Sequence, residues 1–295
     1  MKWRGSPRAT ACFWAIACML TGSSVSAIDP PDLAAPPVGF DKRREGVSAG
    51  KLELIEYESK SVGARRRASV YTPAGYNREE RYPVLYLLHG IGGDEHEWAR
   101  NGAPDTILDN LIADKKAVPM IVVLPNGRAA TDVGPRDPIP RQSPAFAAFE
   151  RDLLEDLVPH IDKAYSTNTS RESRALAGLS MGGGQSLNFG LSHPEAFAWV
   201  GAFSPAPNTK SVAEILPQPD AVAQKLRWLY VSCGDKDSLF HVSQRVHTGL
   251  DERKVPHAFY VIANGGHDFQ VWRADLYRFA MRVFHEPATE KSPVR

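Results

Sequence analysis

Two runs near the start of the chain, KLELIEYES (51–59) and RRRASVYTP (65–73), alternate between polar and apolar positions. A period of two in each, with a glycine-containing turn between them, predicts an antiparallel hairpin with one buried face. From residue 82 the pattern changes. The apolar runs YPVLYLLHG (82–90), PMIVVLPNG (119–127), RALAGLS (174–180), RWLYVSCG (227–234) and HAFYVIANG (257–265) are short, do not alternate, and each carries a glycine at or near its end. Such runs predict strands covered on both faces, as in a parallel sheet. Between the second and third of them, Phe146, Phe149, Leu153, Leu154, Leu157, Val158 and Ile161 recur at spacings of three and four, which predicts a helix over 145–164 with one buried face. The succession reads as an α/β fold, a doubly wound, mostly parallel sheet with an antiparallel N-terminal hairpin. In such sheets chemistry gathers in the loops leaving the carboxyl ends of the strands.

The ends of the chain read differently. Lys2, Arg4 and Arg8 precede an apolar stretch at 9–20 too short to span a bilayer, followed by small residues at 24–27. This is the pattern of a secretory signal peptide over 1–27 cleaved after Ala27, which predicts a secreted or periplasmic protein with no membrane association once the signal is removed. Residues 28–49 read as a Pro-rich, poorly ordered leader, 50–286 as the folded domain, and 287–295 as a disordered tail. Loss of residues 1–27 removes three basic and no acidic residues, leaving 32 Lys and Arg against 34 Asp and Glu. That balance argues against a nucleic-acid partner. Cys12 and Cys18 leave with the signal, so Cys233 has no disulfide partner within the mature chain and no zinc–cysteine cluster is expected. The Arg65–Arg67 triplet reads either as a binding patch or, as is commoner for such runs, as the solvated end of an edge strand.

Gly178-Leu179-Ser180-Met181-Gly182 matches G-x-S-x-G between a predicted strand and a predicted helix. A serine on so sharp a turn adopts strained backbone angles, and its neighbours must lack bulk. Serine at neutral pH is a poor nucleophile and needs a histidine with an acid behind it, expected here in the chain order serine, acid, histidine. His267 follows the last predicted strand through two glycines and is the strongest of the nine histidines. Asp235 and Asp237 both follow the fourth parallel strand, and spacing does not separate them; Asp268 would have to fold back. The oxyanion site is expected to use the backbone N–H of Met181 and, from the glycine-rich stretch HGIGGDEHEW (89–98), that of Ile91. His89 reads as shaping this stretch rather than acting directly.

The segments YPVLYLLHGIGGDEHEW, RALAGLSMGGGQSLNFGL, CGDKDSL, QRVH and GGHDFQVW, in this order, resemble the esterase D-like α/β-hydrolases. Within that group they are most similar to the feruloyl and acetylxylan esterases of carbohydrate esterase family one, and the resemblance runs from about Gly50 to Phe284. It implies the α/β-hydrolase fold and a triad whose acid is the aspartate before Ser-Leu, Asp237, with Ser180 and His267. It also implies hydrolysis of ester-linked ferulate or acetate on plant xylan through an acyl-enzyme, without cofactor or metal, so that the expected partner is a feruloylated or acetylated xylo-oligosaccharide. The 295 residues show no xylanase or carbohydrate-binding module, which directs the expectation toward soluble feruloylated oligosaccharides. Trp98, Phe240 and Trp272 lie beside these motifs and read either as an aromatic acyl pocket or as core. The Pro-rich stretch 128–144 leaves a strand end and is a candidate cover for the site. Feruloyl esterase is the leading reading and acetylxylan esterase its alternative. Siderophore, S-formylglutathione and mycolyltransferase-like enzymes, or a serine peptidase, share the chemistry. A catalytically dead binding protein of this fold would be expected to lack Ser180, Asp237 or His267, and all three are present.

Overall fold

The computed structural model describes Met1 and residues 34–285, so the expected signal peptide and tail lie outside the described residues. Strands β1 (Lys51–Ser59) and β2 (Ala64–Thr72) form the hairpin, pairing from Lys51 opposite Thr72 to Ser59 opposite Ala64. There follow β3 (Val84–Leu88), α1 (Glu97–Asn101), α2 (Pro104–Ala113), β4 (Ile121–Pro125), α3 (Ile139–Arg151), α4 (Val158–Ala164), β5 (Arg174–Leu179) and α5 (Met181–Ser192). The chain continues through β6 (Trp199–Phe203), α6 (Val212–Ile215), α7 (Pro219–Ala223), β7 (Trp228–Gly234), α8 (Phe240–Glu252), β8 (Ala258–Ile262) and α9 (Phe269–Arg282). The eight strands form one sheet in the order β1-β2-β4-β3-β5-β6-β7-β8, with β1, β2 and β4 paired antiparallel and β4 onward paired parallel.

Strands β3, β4 and β5 are buried along their whole length. Alternate residues go to opposite faces: Leu85 and Leu87 pack with Leu108 of α2 and Leu276 and Phe279 of α9, while Tyr86 and Leu88 pack with Phe149, Leu157 and Phe189 from the helices of the other face. Burial on both faces explains why these strands lack polar alternation.

Three features depart from the pattern-based reading. Strand β6 was not foreseen. The predicted helix begins earlier, at Ile139 behind Pro138, so the second half of the Pro-rich stretch 128–144 is helix and not loop; a proline in the first turn is compatible with helix because its missing N–H would have no intrahelical acceptor there. That helix is also interrupted by a π-helical turn, Asp152–Leu157, whose first residue is wholly buried and accepts a 2.7 Å hydrogen bond from the Tyr57 hydroxyl beside the Arg66 guanidinium. Finally, residues 37–49, part of the leader expected to be loose, lie against α2 and α9. Arg44 pairs with Asp114 at 2.7 Å, Asp41 with Arg273 at 2.6 Å, and the Phe40 ring meets Tyr277 edge-on.

Candidate active site

The turn from β5 into α5 is built by close contact. A Cβ on Gly178 would lie 2.7 Å from the Gly182 carbonyl, and one on Gly182 would lie 2.6 Å from the His89 carbonyl, so only glycine fits at either position. Between them Ser180 adopts φ 50° and ψ −116°, a strained conformation for a residue with a side chain. It is pinned by a hydrogen bond from its N–H to the Phe203 carbonyl, while its own carbonyl accepts from Ala206 and Gly184. Strand β6, through Phe203, is therefore what holds the turn on its far side.

Ser180 Oγ lies 3.0 Å from His267 Nε2, and His267 Nδ1 lies 2.7 Å from Asp237 Oδ2. The carboxylate can only accept, so Nδ1 carries the proton and Nε2 is left to accept from the Ser180 hydroxyl. The other Asp237 oxygen accepts from the Leu239 N–H at 2.7 Å. Burial pushes the Asp237 carboxyl up, but the His267 and Leu239 hydrogen bonds outweigh it and hold the group below the ordinary aspartate range. The turns that carry Asp237 and His267 are tied together: Asp235 N–H bonds to the Ile262 carbonyl and Lys236 N–H to that of Gly265. Asp235 itself is exposed, and Asp268 caps α9 through the N–H groups of Gln270 and Val271.

The stretch after β3 runs alongside the serine. A Cβ on Gly90 would lie 3.4 Å from Ser180 Cβ. Met181, the first residue of α5, has an N–H of the kind a helix start leaves without an intrahelical acceptor. Both nitrogens of His89 are used structurally. Nδ1 donates to the Gly90 carbonyl at 2.6 Å, and Nε2 accepts from the Gly127 N–H at 2.8 Å. Burial lowers its pKa to about 4, so it is a neutral brace between two loops. Two further braces have no sequence signature. Glu97 Oε2 accepts from the Gly90 N–H at 2.9 Å, and Arg128 Nη2 donates to the Gly93 carbonyl at 2.6 Å.

The three aromatic residues separate. Trp98 belongs to the core: it is 1% exposed, bonds the Leu88 carbonyl and packs edge-on to Phe203 and Phe269. Trp272, 7% exposed, belongs to the same core layer but sets its ring edge-on to His267 at 4.9 Å, and the half-buried Phe240 opens α8 against Phe259. A separate apolar group around the serine, Phe146, Met181 and Ala206 with Ile91 and Leu239, comes from five different segments. Sequence distance hid it. A cavity of about 520 Å³, lined in part by Arg65, Arg67, Glu95, Asn126 and Arg128, opens where β2 begins beside the end of β4. Antiparallel pairing thus brings Arg65 and Arg67 to the same end of the sheet as Ser180, whereas β2 is flanked by β1 and β4 and is no edge strand, and Arg66 is buried against Asp152.

A family model described as "Putative esterase" matches residues 59–282. The chain belongs to this esterase family. It is 34% identical over 86% of its length to an endo-1,4-beta-xylanase/feruloyl esterase of Xylanibacter ruminicola, and 28% identical over 46% to endo-1,4-beta-xylanase Y of Acetivibrio thermocellus. It spans only 34% and 12% of those two proteins. The solved structure of a CE1 ferulic acid esterase from the anaerobic fungus Anaeromyces mucronatus superposes with a TM-score of 0.76 at 28% identity, covering 85% of this chain and 96% of that one; the fungal enzyme has also been solved with ferulic acid bound. The esterase therefore has the α/β-hydrolase fold, with its sheet extended by the β1–β2 hairpin.

Proposed function

We propose that this esterase is exported and hydrolyses feruloyl (hydroxycinnamoyl) esters of plant cell-wall xylan through an acyl-enzyme. In this reading Ser180 is the nucleophile, His267 the base and then the acid, Asp237 the group that orients it, and the N–H groups of Ile91 and Met181 the oxyanion site. The observation that carries it is the unbroken chain from Ser180 through His267 to Asp237, at 3.0 and 2.7 Å. Feruloyl specificity is supported by the two feruloyl esterases above, and export by the basic-then-apolar first 27 residues.

Ser180 Oγ attacks the ester carbonyl while its proton passes to His267 Nε2, and Asp237 stabilises the imidazolium that results. The oxyanion collapses to an acyl-serine, and the sugar alkoxide leaves with the proton from His267. Water then repeats the sequence and frees ferulate, restoring the serine. The phenyl ring would lie against the half-buried Ile91 and Leu239, and the sugar would leave toward the Arg-lined cavity.

The test is kcat/KM on methyl ferulate against an acetylated xylo-oligosaccharide, with Ser180→Ala as the blank. Preference for ferulate and no turnover in Ser180→Ala are expected. Preference for acetate would make the enzyme a xylan deacetylase, and turnover by Ser180→Ala would overturn the mechanism.

A further inference from the structure

At the edge of the sheet opposite Ser180, three ligating side chains converge. His247 and Asp251 stand four residues apart on α8, hence on one face of the helix, and His257 immediately precedes β8. One ligand atom from each lies within 4.8 Å of the other two. His257 is almost wholly enclosed at 3% exposure, while His247 and Asp251 reach solvent. The His247 ring stacks on Phe259 with centroids 4.3 Å apart, which limits its rotation.

The tautomers follow from the partners. His257 Nδ1 lies 2.8 Å from the Val255 carbonyl, which can only accept, so Nδ1 carries the proton and Nε2 presents a bare lone pair. That lone pair faces His247 Nδ1 at 2.8 Å and Asp251 Oδ1 at 3.9 Å. A backbone carbonyl on the far nitrogen is the arrangement that orients a metal-binding histidine. Zinc bound to nitrogen and oxygen at about 2.0–2.2 Å in a tetrahedral site sets its ligand atoms roughly 3.3 Å apart. The two separations here bracket that value, and small rotamer shifts would bring them to it.

We propose that His247, Asp251 and His257 form a structural site for a zinc-class divalent cation, with water as the fourth ligand. On binding, the His247 proton that Nδ1 holds toward His257 moves to Nε2, on the far side of the partly exposed ring where it can bond solvent, so both rings stay neutral and no proton need be lost. The location gives the site its purpose. Among the described residues, strand β8 is the last in the sheet and pairs only with β7. Helix α8 follows the turn that holds Asp237, and β8 leads to His267, so a cation here would join the far ends of the two elements that position the acid and the base.

The experiment is calorimetric titration of zinc chloride into the EDTA-treated full-length protein, with Asp251→Asn and His257→Gln as variants and a thermal melt of each. The expected result is one equivalent bound with micromolar affinity or better, a loss of about tenfold or more in each variant, and a zinc-dependent rise in Tm confined to the parent protein. Asp251 is exposed, so its variant tests the site without threatening the fold. No binding at about 100 µM zinc, or binding that both substitutions leave unchanged, would overturn the proposal. Because the readouts are heat and Tm, the outcome is independent of the ester the enzyme hydrolyses.

Discussion

At residue scale the site turns on which aspartate faces His267. Asp237 has no exposed side-chain surface and spends one oxygen on His267 and the other on a backbone N–H, whereas Asp235 lies in water two residues earlier. Asp237→Asn would offer an amide where the imidazole needs an acceptor and favour the wrong tautomer. It is expected to lower kcat on the order of 10⁴-fold, with Asp235→Asn within about twofold of the parent. Steady-state kinetics on a soluble aryl ester decides, and the reverse ranking would make Asp235 the acid. His89 carries a different expectation, one of stability. Its pKa in the fold is about 4, against about 6.5 in the unfolded chain, so between those values the unfolded state takes up the proton first. Stability is full above pH 6.5 and falls as the pH drops toward 4, by up to roughly 3 kcal/mol from this residue. Melting curves across that range should show a shallower decline for His89→Gln than for the parent; parallel declines would rule the residue out as the cause.

At the scale of elements, the segment between β3 and α1 is positioned by its braces more than by its own sequence. Glu97 holds the Gly90 N–H, and partial burial pushes its carboxyl up against the pull of that bond, so the loop depends on a costly half-buried acid. Glu97→Ala should let Gly90 and Ile91 drift, lowering kcat by about tenfold or more while KM moves little, because an oxyanion donor acts in the transition state. A change in KM alone would count against that role. The same segment shows what could be read from the chain. Its glycines and its place after a strand marked it, just as G-x-S-x-G marked Ser180 and the paired glycines marked His267, because backbone crowding leaves a sequence trace. The braces leave none, since Glu97 and Arg128 resemble any surface charge until the fold encloses them. Asp235 and Asp237 share one turn, so spacing does not separate them; the resemblance points to Asp237, and the fold buries that carboxylate against His267 while leaving Asp235 exposed. Strand β6 escaped because WVGAF is short and has one β-branched residue; Gly201 sits in it where a Cβ would come 2.8 Å from the Phe279 ring. For the aromatic residues nearest the motifs the sequence left pocket and core open, and Trp98 and Trp272 both fall in the core layer.

For the whole molecule, the polar segment ahead of β1 behaves as a strap. Asn110 donates to the carbonyls of Phe40 and Lys42, Arg44 returns a bond to the Asn110 carbonyl, and Gly50 N–H reaches Asp109, so α2 holds the segment at several points. On its other side Asp41 and Phe40 meet Arg273 and Tyr277 of α9. The strap thus joins the two helices that cover one face of the sheet, which are far apart in sequence. Such closure matters most for a large single sheet, where contacts between distant segments are the last to form and the first to open. The exposed ion pairs contribute little each, and the partly buried Phe40 ring carries most of the effect. The double variant Phe40→Ala, Arg44→Ala is expected to lose about 2–3 kcal/mol, a fall in Tm of roughly 5–10 °C for a domain of this size. Unfolding should remain a single transition, and kcat/KM should stay within about twofold, since Ser180, Asp237 and His267 are set by β5, β7 and β8 and the turns that follow them. Calorimetry with parallel kinetics measures both; an unchanged Tm would show that the fold closes without the strap.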